Sequence, residues 1–170
     1  MKWLIAIVGA ALVGWFIWFQ VNTTKISYVN GLAPYDVVPG REYILQQDCF
    51  VFADREHPTS GFPLLGTNHR DARTRVAALP ETATATARGR EQSGVRILDV
   101  IPRGTRFLIT SVRREQSRRA GTVISYEAKF TDNVERAYQK VDLRPILLPV
   151  AHQGDVPEID TTIAAPWVKR

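Results

Sequence analysis

Three residue sets in this chain have the chemical types that sites are built from: one cysteine, three histidines and an excess of arginine. A nucleophilic cysteine needs a base within hydrogen-bond reach. Cys49 has His57, His69 and His152 as formal partners, none at a local spacing that forms a recognisable pair. A zinc site needs ligands fixed at about 2 Å with characteristic pair spacings. His57 and His69, even with Cys49, Asp48 and Asp54, supply neither a Cys-x-x-Cys nor a His-x-x-x-His arrangement. Flanked by Asp48 and Phe50, Cys49 reads better as a small buried apolar group. No Gly-x-Ser-x-Gly elbow or phosphate-cradling glycine loop occurs. The expectation is a non-catalytic protein with no metal and no cofactor.

The arginines carry more information. Residues 70 to 119 hold twelve arginines, no lysine and five acids, whereas residues 20 to 69 and 120 to 170 are each slightly acidic. Arginine's planar fork suits carboxylates and phosphates. Arg113, Arg114, Arg118 and Arg119 form the tightest cluster, and Arg103 and Arg106 flank a turn just before it. These six are the candidate partner-binding residues, for an acidic protein surface, anionic headgroups or a wall polymer. The competing reading is a solvated loop whose charge serves solubility. Nucleic acid is not expected, because no aromatic side chains are interleaved for base stacking.

What positions these residues begins with "MKWLIAIVGAALVGWFIWFQ". From Trp3 to Phe19 no charged residue occurs. Seventeen helical residues reach roughly 26 Å, close to the hydrocarbon thickness of about 30 Å. Trp3 at one end and Trp15 and Trp18 at the other suit the two interfaces. Small residues are missing where a signal peptidase would cut after the run. Residues 1–20 are therefore expected to be an uncleaved transmembrane signal-anchor in the inner membrane. The amino terminus would lie inside and the rest in the periplasm. A single cysteine rules out an intramolecular disulfide.

Beyond the anchor, residues 21–40 are rich in turn formers and read as a stalk that lays one short strand on the domain. The domain itself is assigned to residues 41–149. "REYILQQDCFVFAD" reads as a strand with apolar groups on both faces. Residues 53–95 read as a long exposed insertion, with Pro58, Gly61, Pro63 and Gly66 followed by a Thr-Ala run. "VRILDVI" and "TRFLITSV" are strands joined through Pro102-Arg103-Gly104, where proline presets φ and glycine tolerates φ > 0. In "TVISYEAKFT", Ile124, Tyr126, Ala128 and Phe130 alternate with Ser125, Glu127, Lys129 and Thr131. "NVERAYQKVDL" has helical spacing, "RPILLPV" reads as an edge strand, and residues 150–170 as a flexible tail. The fold class expected is mainly β: a small antiparallel barrel of about five strands with a long loop insertion, behind one transmembrane helix.

The order of these elements resembles a bacterial SH3-like domain. "VIPRGTRFLI" is similar to that family's hydrophobic-Pro-x-Gly-Thr element. "TVISYEAKF" would be the partner hairpin arm, and "YQKVDLRPILL" the one-turn helix entering the closing strand. The resemblance spans Arg41 to Leu148 and implies a binding or accessory module rather than an enzyme. No Trp occurs between Trp18 and Trp167, and the terminal Gly-Trp-Val of the peptidoglycan-recognising members is missing. No binding residue therefore carries over by match. The function expected is a bilayer-tethered periplasmic module that contacts an envelope protein or other anionic partner. The alternatives are an immunity protein against a periplasm-acting toxin, and a small hydrolase using Cys49.

Overall fold

In the computed structural model the described residues are 3, 8–9, 11–15, 24–54, 62–67, 91–92, 95–117, 121–132, 138–152 and 155–168. Ten strands occur among them: β1 (Lys25–Tyr28), β2 (Glu42–Leu45), β3 (Cys49–Asp54), β4 (Leu64–Gly66), β5 (Glu91–Gln92), β6 (Val95–Ile101), β7 (Arg106–Ser117), β8 (Gly121–Phe130), β9 (Lys140–Asp142) and β10 (Ala164–Pro166). The chain is mainly β, as its alternating apolar pattern requires. Nine strands follow one another in a single sheet in the order β10-β2-β7-β8-β9-β4-β3-β6-β5, and β1 adds to β7.

The expected barrel closure does not occur, because among the described residues nothing pairs the β10 end of this path with the β5 end. The reason lies at the corner that proline and glycine make. Thr105 N–H donates to the Pro102 carbonyl at 3.2 Å and Gly104 sits at φ 88°, so the turn is tight. Yet β6 and β7 do not pair with each other. β6 runs antiparallel to β3, whereas β7 takes β8 on one side and β2 and then β1 on the other. Gly104 N–H also donates to the Leu45 carbonyl at 2.9 Å, tying the corner to the end of β2.

Several other expectations are revised. The single strand predicted from Arg41 onward is broken at Gln46–Asp48 into β2 and β3. Part of the predicted insertion is strand, since β4 pairs with β3 and touches β9, and β5 pairs with β6. Within the predicted helix over 133–143, the described residues 138–143 hold strand β9 at Lys140–Asp142 and no helical turn. "RPILLPV" forms a 3-10 turn at Arg144–Ile146 instead of an edge strand, with only Leu147 bridged to Ile159. The segment read as a flexible tail carries β10 and buries Ile159, Ile163 and Ala164.

Residues of β2, β3, β7, β8 and β9 contribute to the main core, Phe107, Ile109, Val112, Tyr126, Ala128 and Val141 among them. A second cluster joins Phe50, Phe52, Leu64, Val95 and Ile97. Strand β3 feeds both: Cys49 and Val51 go to the first and Phe50 and Phe52 to the second. Each fully buried large side chain of this kind contributes about 1.5–3 kcal/mol relative to exposure.

The described residues of the amino-terminal segment, Trp3, Val8, Gly9 and Ala11–Trp15, are helical. Among the described residues no helix is long and apolar enough to cross a membrane. Trp18 lies outside the described residues.

Candidate functional site

The outer face of the sheet has two zones, and a bulge in β7 separates them. Before Thr110, Phe107 and Ile109 face the core. The pairing with β8 slips between Ile109 and Ser111, and beyond it Val112 takes the core side. A one-residue slip exchanges the two faces of a strand. Arg106 and Leu108 therefore share the outer face with Ser111, Arg113 and Glu115.

The zone beyond the bulge is a buried charged network. Arg113 is 2% exposed and Asp142 0%. The Arg113 guanidinium donates to Glu115 Oε1 at 2.6 Å and to Asp142 Oδ2 at 3.2 Å. Arg144 donates to Glu115 Oε1 at 2.9 Å and lies 3.6 Å from Asp142 Oδ2. Glu127, directly opposite Asp142, accepts from Ser111 Oγ at 2.7 Å and Tyr28 Oη at 2.9 Å. Burial raises the Asp142 carboxyl above the ordinary carboxylate range, against the pull of Arg144, its backbone N–H and Arg113. Hydrogen bonding to Glu127, followed by burial, raises the Tyr28 hydroxyl. This zone is architecture: its cations are already matched by carboxylates.

In the zone before the bulge Arg106 and Lys129 are exposed and Glu42, Ile44 and Leu108 are half-buried. By register, Glu42 and Ile44 of β2, Arg106 and Leu108 of β7 and Lys129 of β8 share one face. Lys140 of β9 stands opposite Lys129. Trp167 continues from β10, held by its N–H donating to the Glu42 carbonyl at 2.8 Å. Trp167 is 37% exposed, and the Arg106 guanidinium lies 5.3 Å from its ring centroid. That contact is a cation–π pair, which pre-orients the guanidinium while leaving its edges free to donate. Lys140 Nζ stands 5.8 Å from the Phe62 ring centroid. Beside Trp167 an open groove is lined by Gly40, Arg41, Glu42, Tyr43 and Pro166. Tyr43 stacks on Phe107 at 5.7 Å, which fixes the groove wall to the core.

The six arginines singled out from the sequence are thus not one patch. Arg113 is buried in ion pairs and Arg114 is half-buried. Arg103 and Arg106 are exposed, Arg103 at the corner where its N–H donates to Asp48 Oδ1 at 2.7 Å. Arg118 and Arg119 lie outside the described residues. Lys129, Lys140 and Trp167 were not singled out. The outward alternation of Lys129 was visible in the sequence, but the approach of Trp167 depends on a long-range pairing that no local pattern shows.

Cys49 is buried, and its thiol is pushed up to about 12 by burial and then by Asp48. Such a thiol holds almost no thiolate near neutral pH. His57 and His69 lie outside the described residues, and His152 is exposed beside Asp155. Among the described residues no group of three or more His, Cys, Asp or Glu side chains could hold a metal ion.

No family model, no curated protein and no solved structure matches this chain.

Proposed function

We propose that the chain is a membrane-tethered, extracytoplasmic binding module of SH3-like type that takes an anionic envelope partner on the exposed face around Arg106 and Trp167. The observation that carries this reading is the cation–π pair of Arg106 and Trp167 beside Lys129 and Lys140. A guanidinium braced on an aromatic ring loses little side-chain freedom when a carboxylate or phosphate arrives. Lysines on the neighbouring strands add longer-range attraction, and among the described residues that share this face by register Glu42 is the one acid. The order β3, β6, the Pro102–Thr105 corner, β7 and β8 supports the SH3-like part of the reading, although β6 and β7 do not pair. The apolar run from Trp3 to Phe19 supports the tether.

Crosslinking of the full chain in intact cells, with an Arg106→Glu/Lys129→Glu variant alongside, tests it. The variant is expected to lose the partner captured by the parent chain and to remain folded by circular dichroism. Equal capture of the same partner would overturn the assignment of this face.

A further inference from the structure

The tether has a geometric consequence at the opposite end of β7. Apolar sequence ends at Phe19 and strand β1 begins at Lys25. Six residue steps span at most about 20 Å even when fully extended. The headgroup layer adds about 5–8 Å to each side of the hydrocarbon, and charge is felt over about 8 Å more at physiological salt. Lys25 therefore lies no more than about 20 Å from the end of the apolar run, within a few Å of the outer limit of the headgroup layer and its screened field even when the connection is fully extended.

Strand β1 pairs with the far end of β7, Lys25 opposite Gln116 and Ser27 opposite Arg114. The pole of the domain nearest the bilayer is consequently the end where β7 turns back into β8, with Ser117 opposite Gly121. Its described side chains suit a membrane surface. By register Lys25, which is exposed, and Arg114, which is half-buried, share one face at this pole, and Ile26 and Tyr28 present exposed surface on the other. The acids on the same part of β7 and β8, Glu115 and Glu127, are buried and already bonded, so they do not offset these cations at the surface.

We propose that this β1 pole, through Lys25 and Arg114, rests on the anionic headgroups of the bilayer and sets β7 upright, so that the Arg106–Trp167 face points away from the membrane. The distance follows from the strand itself: from Gln116 back to Arg106, β7 spans about 33 Å at roughly 3.3 Å per residue. This inference rests on the tether of the proposed function.

The test uses the full chain reconstituted into vesicles of phosphatidylcholine alone, or of phosphatidylcholine mixed with phosphatidylglycerol. A fluorophore is attached at Gln116→Cys or, in a second protein, at Arg103→Cys, and a headgroup-labelled lipid serves as quencher. The probe at 116 is expected to be quenched in the anionic vesicles and released by high salt, with the probe at 103 unquenched. Lys25→Gln is expected to lower the docked population about fivefold, the effect of one basic side chain at an anionic surface. Equal quenching at both positions, or quenching indifferent to lipid charge and to Lys25→Gln, would overturn the docking alone. Failure of the chain to float with either vesicle would overturn both the docking and the tether beneath it.

Discussion

At the scale of single residues, two buried groups give the sharpest tests. Arg113 is enclosed with Glu115 and Asp142 around it, and removing one partner of such a set leaves uncompensated charge in a dry site. Arg113→Met is expected to lower the unfolding free energy by about 3–5 kcal/mol. Urea denaturation measures this, and a loss within the range of ordinary surface substitutions would contradict the network's role. Cys49 gives a test in pH. Its folded-state pKa is raised above the ordinary thiol value of 9.0, so folding favours the protonated thiol. The stability this group contributes is complete below the unfolded value and is lost as pH rises through that value toward about 12. The unfolding free energy should fall more steeply above about pH 9 in the parent than in Cys49→Ala, by up to about 1.4 kcal/mol per pH unit. Thiol reagents at pH 8 should label Cys49 only after denaturant is added.

At the scale of elements, the corner and the bulge show what a sequence reveals. Pro102, Gly104 and Thr105 announced their turn because each constrains φ or a hydrogen bond locally. Which strands the turn joins was hidden, since β6 pairs with β3 and β7 with β2 across long separations. Arg113 was read as an exposed partner residue because "RREQSRRAG" has the polarity of a hairpin loop, whereas β7 continues through it to Ser117 and stays paired with β8 as far as Gly121. The bulge is a register event between two strands, and neither strand records it alone. Lys129 was readable for the opposite reason, lying in an uninterrupted alternation from Ile124 to Phe130. Two glycines test the connections. Gly104→Ala forces a side chain into φ 88° and is expected to cost about 1–2 kcal/mol. Gly66→Ala would bring a methyl group to 2.8 Å from Pro145 Cβ, where β4 meets the 3-10 turn. It should lower the melting temperature, with greater loss if neither backbone can shift.

At the scale of the whole molecule, the sheet is held together by distant parts of the chain. Residues 150–170 read as a flexible tail because they are terminal, largely polar and interrupted by prolines. Their contribution comes through Ile159, Ile163 and Ala164, which complete the main core, and through the Tyr126 hydroxyl, which donates to the Pro157 carbonyl at 2.6 Å. Truncation after Val150 is therefore expected to abolish cooperative unfolding rather than merely trim a tail, as read by thermal denaturation. A truncated protein with an unchanged melting temperature would show that β10 is an accessory.

The pairing of β10 with β2 also dictates when the sheet becomes safe. On the ribosome, β2 is made long before its partner, and until then one border of the nascent sheet stays open to any passing strand. Crowded expression should accordingly produce misassembled species joined through Glu42–Leu45, and supplying the last strand as a free peptide should suppress them.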